Sequence, residues 1–102
     1  MIFHITDPDR WAQSQAEGEH TGSSRGVELA QEGFIHCSTE AQWPATVERF
    51  YADAEALVLL HVDEALLDVP LRYEHSGDAP EPFPHVYGPI NLAAVVEVQR
   101  LR

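Results

Sequence analysis

Three of the six histidines lie in or beside short apolar segments that the sequence predicts to be strands. These are His4, His36 and His85, and each is followed within three residues by a polar or turn-forming residue. Strand ends carry groups that face clefts, so the rings would converge if their strands were neighbours. Imidazole can act as a general acid or base and can donate hydrogen bonds to a ligand. We therefore take His4, His36 and His85 as candidate catalytic residues.

The alternative is that these histidines are structural. A single histidine in a strand is more often a hydrogen-bonded structural residue than part of a site. A protein gains little, however, by burying a titratable ring three times, which favours a site for the set as a whole. The remaining histidines lack such flanking residues and are predicted to be structural or exposed: His20, His61 and His75.

Ser38 follows His36 by two residues, so both side chains would face the same side of a strand and could donate to one ligand. It is equally plausible that Ser38 or Thr39 caps the next helix. Cys37 would face the opposite side, and we interpret it as a buried apolar residue rather than a nucleophile.

The segment around His85 is dense in groups that can bind a ligand. Tyr87 shares a strand face with His85, Gly88 permits a close backbone approach, and Asn91 offers both a donor and an acceptor. Trp11 could stack on a base or sugar, although a core position is the more conservative interpretation. The candidate ligand-binding residues are thus Thr6, Trp11, Ser38, Tyr87, Gly88 and Asn91.

These residues must be positioned by the strands and helices that the sequence predicts. Their pattern indicates an α+β fold with a small mixed, mainly antiparallel sheet and two helices in the N-terminal half. Asp7 and Pro8 suit the start of the first helix, and Gly18 suits its end. The second helix begins at Pro44 or has an irregular first turn. The apolar run from Ala56 to Val62 predicts a central strand.

Composition limits the classes of function. The length fits a single domain over residues 1–102. The formal net charge of −11, the absence of lysine and six scattered arginines argue against a nucleic-acid partner. Cys37 is the only cysteine, so no internal disulfide can form and a reducing compartment is expected. With no signal peptide or membrane-spanning run evident, we expect a cytoplasmic protein with no membrane partner. The oligomeric state stays open.

Two motifs carry a family resemblance. The stretches Glu32–Ser38 and Phe83–Pro89 closely resemble the bacterial domain-of-unknown-function family 952. The opening residues Ile2–Ile5, Trp11 and the run Ala56–Val62 fit the same family. The resemblance covers essentially the whole chain, but the family name implies no activity.

A more distant resemblance does imply an activity. The stretch Phe3–Thr6 looks like the first-strand histidine motif of ADP-ribosyltransferase folds, and Ile35–Ser38 looks like the histidine–serine region of RNA 2′-phosphotransferases. This resemblance implies an ADP-ribosyltransferase-like fold that uses NAD or an ADP-ribosylated intermediate. It implies that His4 holds the nicotinamide ribose, that His36 and Ser38 line the second strand, and that His85 or Tyr87 stands near the third motif position. Many of these enzymes have a catalytic glutamate there; here Glu74 is an upstream candidate.

Three hypotheses about function follow. The first is binding of NAD or a related nucleotide in a histidine-rich pocket, with ADP-ribosyltransferase-like or hydrolase chemistry. The second is a non-enzymatic module that binds a small molecule in the same cleft. The third is a metal site built from His4, His36 and His85, but the sequence shows no His-x-His or i, i+4 pair, and we expect no metal.

Overall fold

The computed structural model describes all residues 1–102 as an α+β domain in which every paired strand is antiparallel. The predicted class is confirmed, with three helices rather than two and several small sheets. The helices are α1 (Pro8–Glu17), α2 (Leu29–Glu32) and α3 (Trp43–Phe50). The strands are β1 (Ile2–Thr6), β2 (Glu19–His20), β3 (Gly22–Ser24), β4 (Val27–Glu28), β5 (Ile35–His36), β6 (Val58–Val62), β7 (Leu71–Glu74), β8 (Phe83–Val86), β9 (Ile90–Asn91) and β10 (Val95–Arg100).

Helix α1 has the ends that its sequence predicts. The Asp7 carboxylate accepts a hydrogen bond from the backbone N–H of Arg10 at 2.7 Å, and Pro8 occupies the first turn. Gly18 ends the helix at φ 89°, a conformation that glycine adopts without steric cost. No helix in the chain is long and apolar enough to cross a membrane.

Helix α3 begins at Trp43, so Pro44 lies in its first turn, where its missing N–H costs no helical hydrogen bond. An irregular turn precedes it, as one of the two sequence interpretations predicted. In that turn the Gln42 side chain accepts a hydrogen bond from the Thr39 N–H at 2.9 Å, which is one half of a capping box.

The central sheet has the strand order β1–β6–β10, which confirms the predicted central strand. Its two faces cover separate cores. Ile2, Leu60 and Val62 belong to one core, whereas Phe3 and Leu59 belong to the other. Because alternate residues of β1 point to opposite faces, His4 shares the face of Ile2.

A second sheet has the order β5–β8–β7, with His36 directly opposite His85. It is joined to the central sheet by a bridge in which Phe3 and Ser38 exchange backbone hydrogen bonds of 2.8 Å. This bridge holds the end of β5 against β1. It therefore fixes the segment from His36 to Ser38 at the junction of the two sheets.

Candidate functional site

The largest concave surface lies between α3, the junction of β1 with β5, and the loop from residue 75 to residue 82. We call it the α3 cleft. Its volume is about 1000 Å³, at the upper end of the range of small-molecule sites. The residues that matter most for a ligand are His36, Ser38, Gln42, Thr46, Arg49 and Phe50.

Two of the six arginines line this cleft, although the chain as a whole is strongly acidic. Arg25 is engaged, because its guanidinium forms a 2.6 Å ion pair with Asp53. Arg49 forms no ion pair and no side-chain hydrogen bond, and its guanidinium lies 5.2 Å from the ring centre of Phe50. Arg49 thus keeps all its donors for a ligand, while Asp78 and Glu81 add negative charge at the loop.

Hydroxyl groups line the cleft beside these charges. The Ser38 hydroxyl lies 3.5 Å from that of Thr46, which donates to the Gln42 carbonyl at 3.2 Å. The Gln42 amide donates to the Pro82 carbonyl at 2.9 Å and so ties the loop to the start of α3. Ser38 is itself buried, which leaves its hydroxyl at the bottom of the cleft.

His36 is the one of the three predicted catalytic histidines that lines this cleft. Its Nε2 atom lies 2.9 Å from the carboxylate of Glu32, which is the last residue of α2 and four residues earlier in the chain. Its backbone carbonyl accepts a hydrogen bond of 2.7 Å from the His4 ring. Its Nδ1 atom has no partner within the protein, so one nitrogen of this ring is left for a ligand.

His85 lies next to His36, with 5.4 Å between the ring centres, but it is buried and lines neither cleft of the molecule. Its Nδ1 atom is 2.8 Å from the Glu74 carboxylate, which also accepts the Tyr87 hydroxyl. Its Nε2 atom is the only buried side-chain nitrogen or oxygen without a partner. The ring of Phe34 stacks on it at 4.1 Å.

His4 does not line the α3 cleft. Its ring pairs with that of His20, a residue that the sequence did not single out. Their Nε2 atoms are 3.0 Å apart, and the His20 Nδ1 lies 2.7 Å from the Ser14 hydroxyl. Burial lowers the pKa of His4 to about 4 and that of His20 to about 2. Both nitrogens of His4 are engaged within the protein, so its ring has no free donor for a ribose.

The three predicted histidines are therefore brought near one another without sharing one surface. His4 touches His36 only through a backbone carbonyl, while His36 and His85 form a side-by-side pair. No local pattern could have identified His20, because its partners lie on β1 and α1 and are brought together only by the fold.

The other predicted ligand-binding residues lie outside the α3 cleft, apart from Ser38. Thr6 borders a second, more acidic cleft at the start of α1, and Trp11 packs against the core that contains Ile2. The Asn91 side chain bonds the Leu66 carbonyl at 2.9 Å and the Asp68 N–H at 3.3 Å. The Asn91 side chain thus uses its donor and its acceptor to hold the backbone of residues 66–68.

Gly88 does permit a close approach, but the neighbour is a side chain of the protein itself. A Cβ atom on Gly88 would lie 2.6 Å from a methyl carbon of Val69. Cys37 is buried in the core, as predicted, and burial raises the pKa of its thiol. No group of three or more histidine, cysteine or acidic side chains is arranged to hold a metal ion.

Comparison with known proteins identifies the family. Two crystal structures of protein CC0527 from Caulobacter crescentus are similar to the chain over 99% of its length and 85% of theirs. One is 32% identical with a TM-score of 0.85, and the other, a double mutant, is 29% identical with a TM-score of 0.84. No curated protein matches. The model of the family described as "Protein of unknown function (DUF952)" matches residues 5–98, and the chain belongs to that family.

Proposed function

We propose that the chain binds NAD or a related nucleotide in the α3 cleft, with ADP-ribosyltransferase-like chemistry at the ribose. The observation that carries this proposal is the unpaired guanidinium of Arg49 beside the exposed ring of Phe50. A nucleotide presents both an anionic phosphate and a flat ring. Arginine binds phosphate oxygens through its planar set of donors, and an aromatic side chain stacks on a base.

The rest of the cleft supports the same ligand class. The Ser38 hydroxyl can donate to or accept from a ribose hydroxyl, and the Thr46 hydroxyl, whose proton goes to the Gln42 carbonyl, can accept from one. A chain of net charge −11 repels anions in general, so binding must depend on local donors. Arg49 supplies those donors within a strongly acidic molecule.

The chemistry we propose is cleavage of a bond at the anomeric carbon of the ribose, which passes through an oxocarbenium-like state. Such a state is stabilised by negative charge fixed nearby. Asp78 and Glu81 line the cleft from the loop, and the Glu32 carboxylate lies 2.9 Å from Nε2 of His36. These carboxylates would take the part of the catalytic glutamate, because the sequence candidate Glu74 lines neither cleft.

The test is calorimetric titration with NAD, ADP-ribose and AMP, using Arg49→Ala and, as the matched control, Arg72→Ala. Arg72 lies over Tyr87 and lines neither cleft, so both variants lose one positive charge but only one loses it in the cleft. A lost charged hydrogen bond is worth about 1.5–3 kcal/mol, so Arg49→Ala should weaken binding about tenfold or more. Equal weakening by the two variants, or no binding of any of the three ligands by the wild type, would contradict the proposal.

A non-enzymatic binding module is the outcome in which the ligand binds but is recovered unchanged. Chromatography of NAD after overnight incubation with the protein separates the two cases. Release of nicotinamide supports the proposed chemistry. Recovery of intact NAD, together with binding that depends on Arg49, supports a module that binds its ligand without turnover.

A further inference from the structure

We propose that His36 is the acid–base residue of the α3 cleft, with Glu32 as the carboxylate that fixes its tautomer. This inference rests on the proposed function and names the atom through which a proton moves.

The tautomer follows from the partner of each ring nitrogen. A carboxylate can only accept a hydrogen bond, so the His36 Nε2 that lies 2.9 Å from Glu32 carries the proton of the neutral ring. The lone pair is then on Nδ1, which has no partner within the protein. Catalytic histidines share this arrangement, in which one nitrogen is held by a carboxylate and the other faces the reacting group.

A histidine–glutamate pair four residues apart can also be an ordinary surface pair that contributes little to stability. The surroundings of His36 argue against that interpretation. Its ring packs against the rings of Phe34 and His85, with ring centres 4.8 Å and 5.4 Å away, and its backbone carbonyl is held by His4. Its position is therefore fixed by packing on two sides as well as by Glu32, as a preorganised catalytic group requires.

His85 provides a second observation. Its Nδ1–H donates to Glu74 on β7, and the two ring nitrogens of an imidazole point away from each other. The His85 ring is also the direct neighbour of His36 across the β5–β8 pair, with 5.4 Å between the ring centres. The Nε2 atom of His85 is buried without a hydrogen-bond donor, and burying an acceptor without a partner costs free energy. A positive charge on His36 would give it a favourable neighbour.

The step we assign is hydrolysis at the anomeric carbon of a bound NAD. The oxygen of a water molecule forms a bond to that carbon while the bond to the nicotinamide nitrogen breaks, and its electron pair leaves with neutral nicotinamide. One proton of the water passes to Nδ1 of His36. Glu32 stabilises the resulting imidazolium until the proton is lost to solvent, so the net products are ADP-ribose, nicotinamide and one proton.

The first test concerns the tautomer and does not depend on any ligand. Nitrogen-15 NMR of the ring at pH 8 should show His36 with the proton on Nε2, and Glu32→Gln should increase the population of the other tautomer. Wild-type protein with the proton on Nδ1 would overturn the inference, whatever the protein binds.

The second test compares His36→Gln with His61→Gln, a histidine on β6 that lines neither cleft. General acid–base catalysis contributes about 100-fold or more, so His36→Gln should slow nicotinamide release by that factor. Its affinity for ADP-ribose should stay within threefold of the wild type, and His61→Gln should change neither. Wild-type protein that does not bind ADP-ribose overturns the proposed function itself. Binding without any release overturns this inference together with the chemistry of the proposed function, whereas release that His36→Gln leaves unaffected overturns only this inference.

Discussion

The Nε2 atoms of His4 and His20 lie 3.0 Å apart in the interior of the protein, and only one of them can carry the proton of their hydrogen bond. Nδ1 of His4 faces a carbonyl, so it must be the donor there, and the bare Nε2 accepts from His20. His20 then accepts from the Ser14 hydroxyl through its own Nδ1. Both rings are neutral. Each hydrogen bond in this series then donates in the same direction, from Ser14 through His20 and His4 to the His36 carbonyl.

This pair should make the protein sensitive to mild acid. Burial lowers the pKa of His4 to about 4 and that of His20 to about 2, against 6.5 for the unfolded chain. The unfolded state therefore takes up protons first, so the stability from each ring is complete above pH 6.5 and is lost as the pH falls below it. Between pH 6.5 and its lowered pKa, each ring loses about 1 kcal/mol of this stability per pH unit. Urea unfolding at pH 7.5, 6 and 5 measures it.

A matched variant separates this effect from general acid denaturation. His20→Gln keeps a donor and an acceptor but cannot titrate, so stability should fall about half as steeply between pH 6.5 and pH 5. His61→Gln should follow the wild type, because His61 lies on β6 apart from the pair and bonds Gln99 instead. A wild-type free energy of unfolding that stays constant from pH 7.5 to pH 5 would refute the prediction.

Replacing Ser14, the donor to His20, tests how much this series of hydrogen bonds contributes to the stability of the fold. Its hydroxyl is fully buried and contacts both His20 and the Arg10 side chain. In Ser14→Ala the His20 Nδ1 loses its donor, and a buried polar atom left without a partner costs about 1–3 kcal/mol. Chemical denaturation at pH 7.5 should show this loss. As a control, Ala12→Ser at an exposed position of α1 should change stability by less than about 0.5 kcal/mol.

The sequence predicted what depends on neighbours along the chain. Asp7 begins and Gly18 ends the first helix where their own conformational preferences require it. The pairing of His4 with His20 could not be predicted, because it depends on the fold bringing β2 against β1 and α1. The α3 cleft was missed for the same reason, since Arg49 and Phe50 line a cleft only because the loop from residue 75 to residue 82 lies opposite them.

Tyr87 should control the charge of Glu74. Its hydroxyl donates to that carboxylate and, together with the His85 ring, holds the pKa of Glu74 below its usual value. The same hydrogen bond raises the pKa of Tyr87. In Tyr87→Phe the pKa of Glu74 should rise but stay below the usual value, because the bond from His85 remains. Carbon-13 NMR of the Glu74 carboxyl group during a pH titration measures this, and an unchanged midpoint would show that the hydroxyl does not bind there in solution.

Gly88 should not tolerate a side chain, and the reason is Val69 rather than a ligand. Its φ of 154° lies in a region that favours glycine, and a Cβ atom there would meet Val69 carbons at 2.6 Å and 2.9 Å. Overpacking and backbone strain each cost about 1–3 kcal/mol, so Gly88→Ala should lower the free energy of unfolding by at least 2 kcal/mol.

The double variant Gly88→Ala, Val69→Ala distinguishes the two costs. Val69→Ala alone loses buried apolar contacts and is destabilising. In the double variant it also removes the carbons that the new Cβ would strike, so the two losses should be less than additive by about 1 kcal/mol or more. The strain of the backbone stays, so the double variant should remain less stable than Val69→Ala. Strictly additive losses would show that the position depends on backbone conformation and not on contact with Val69.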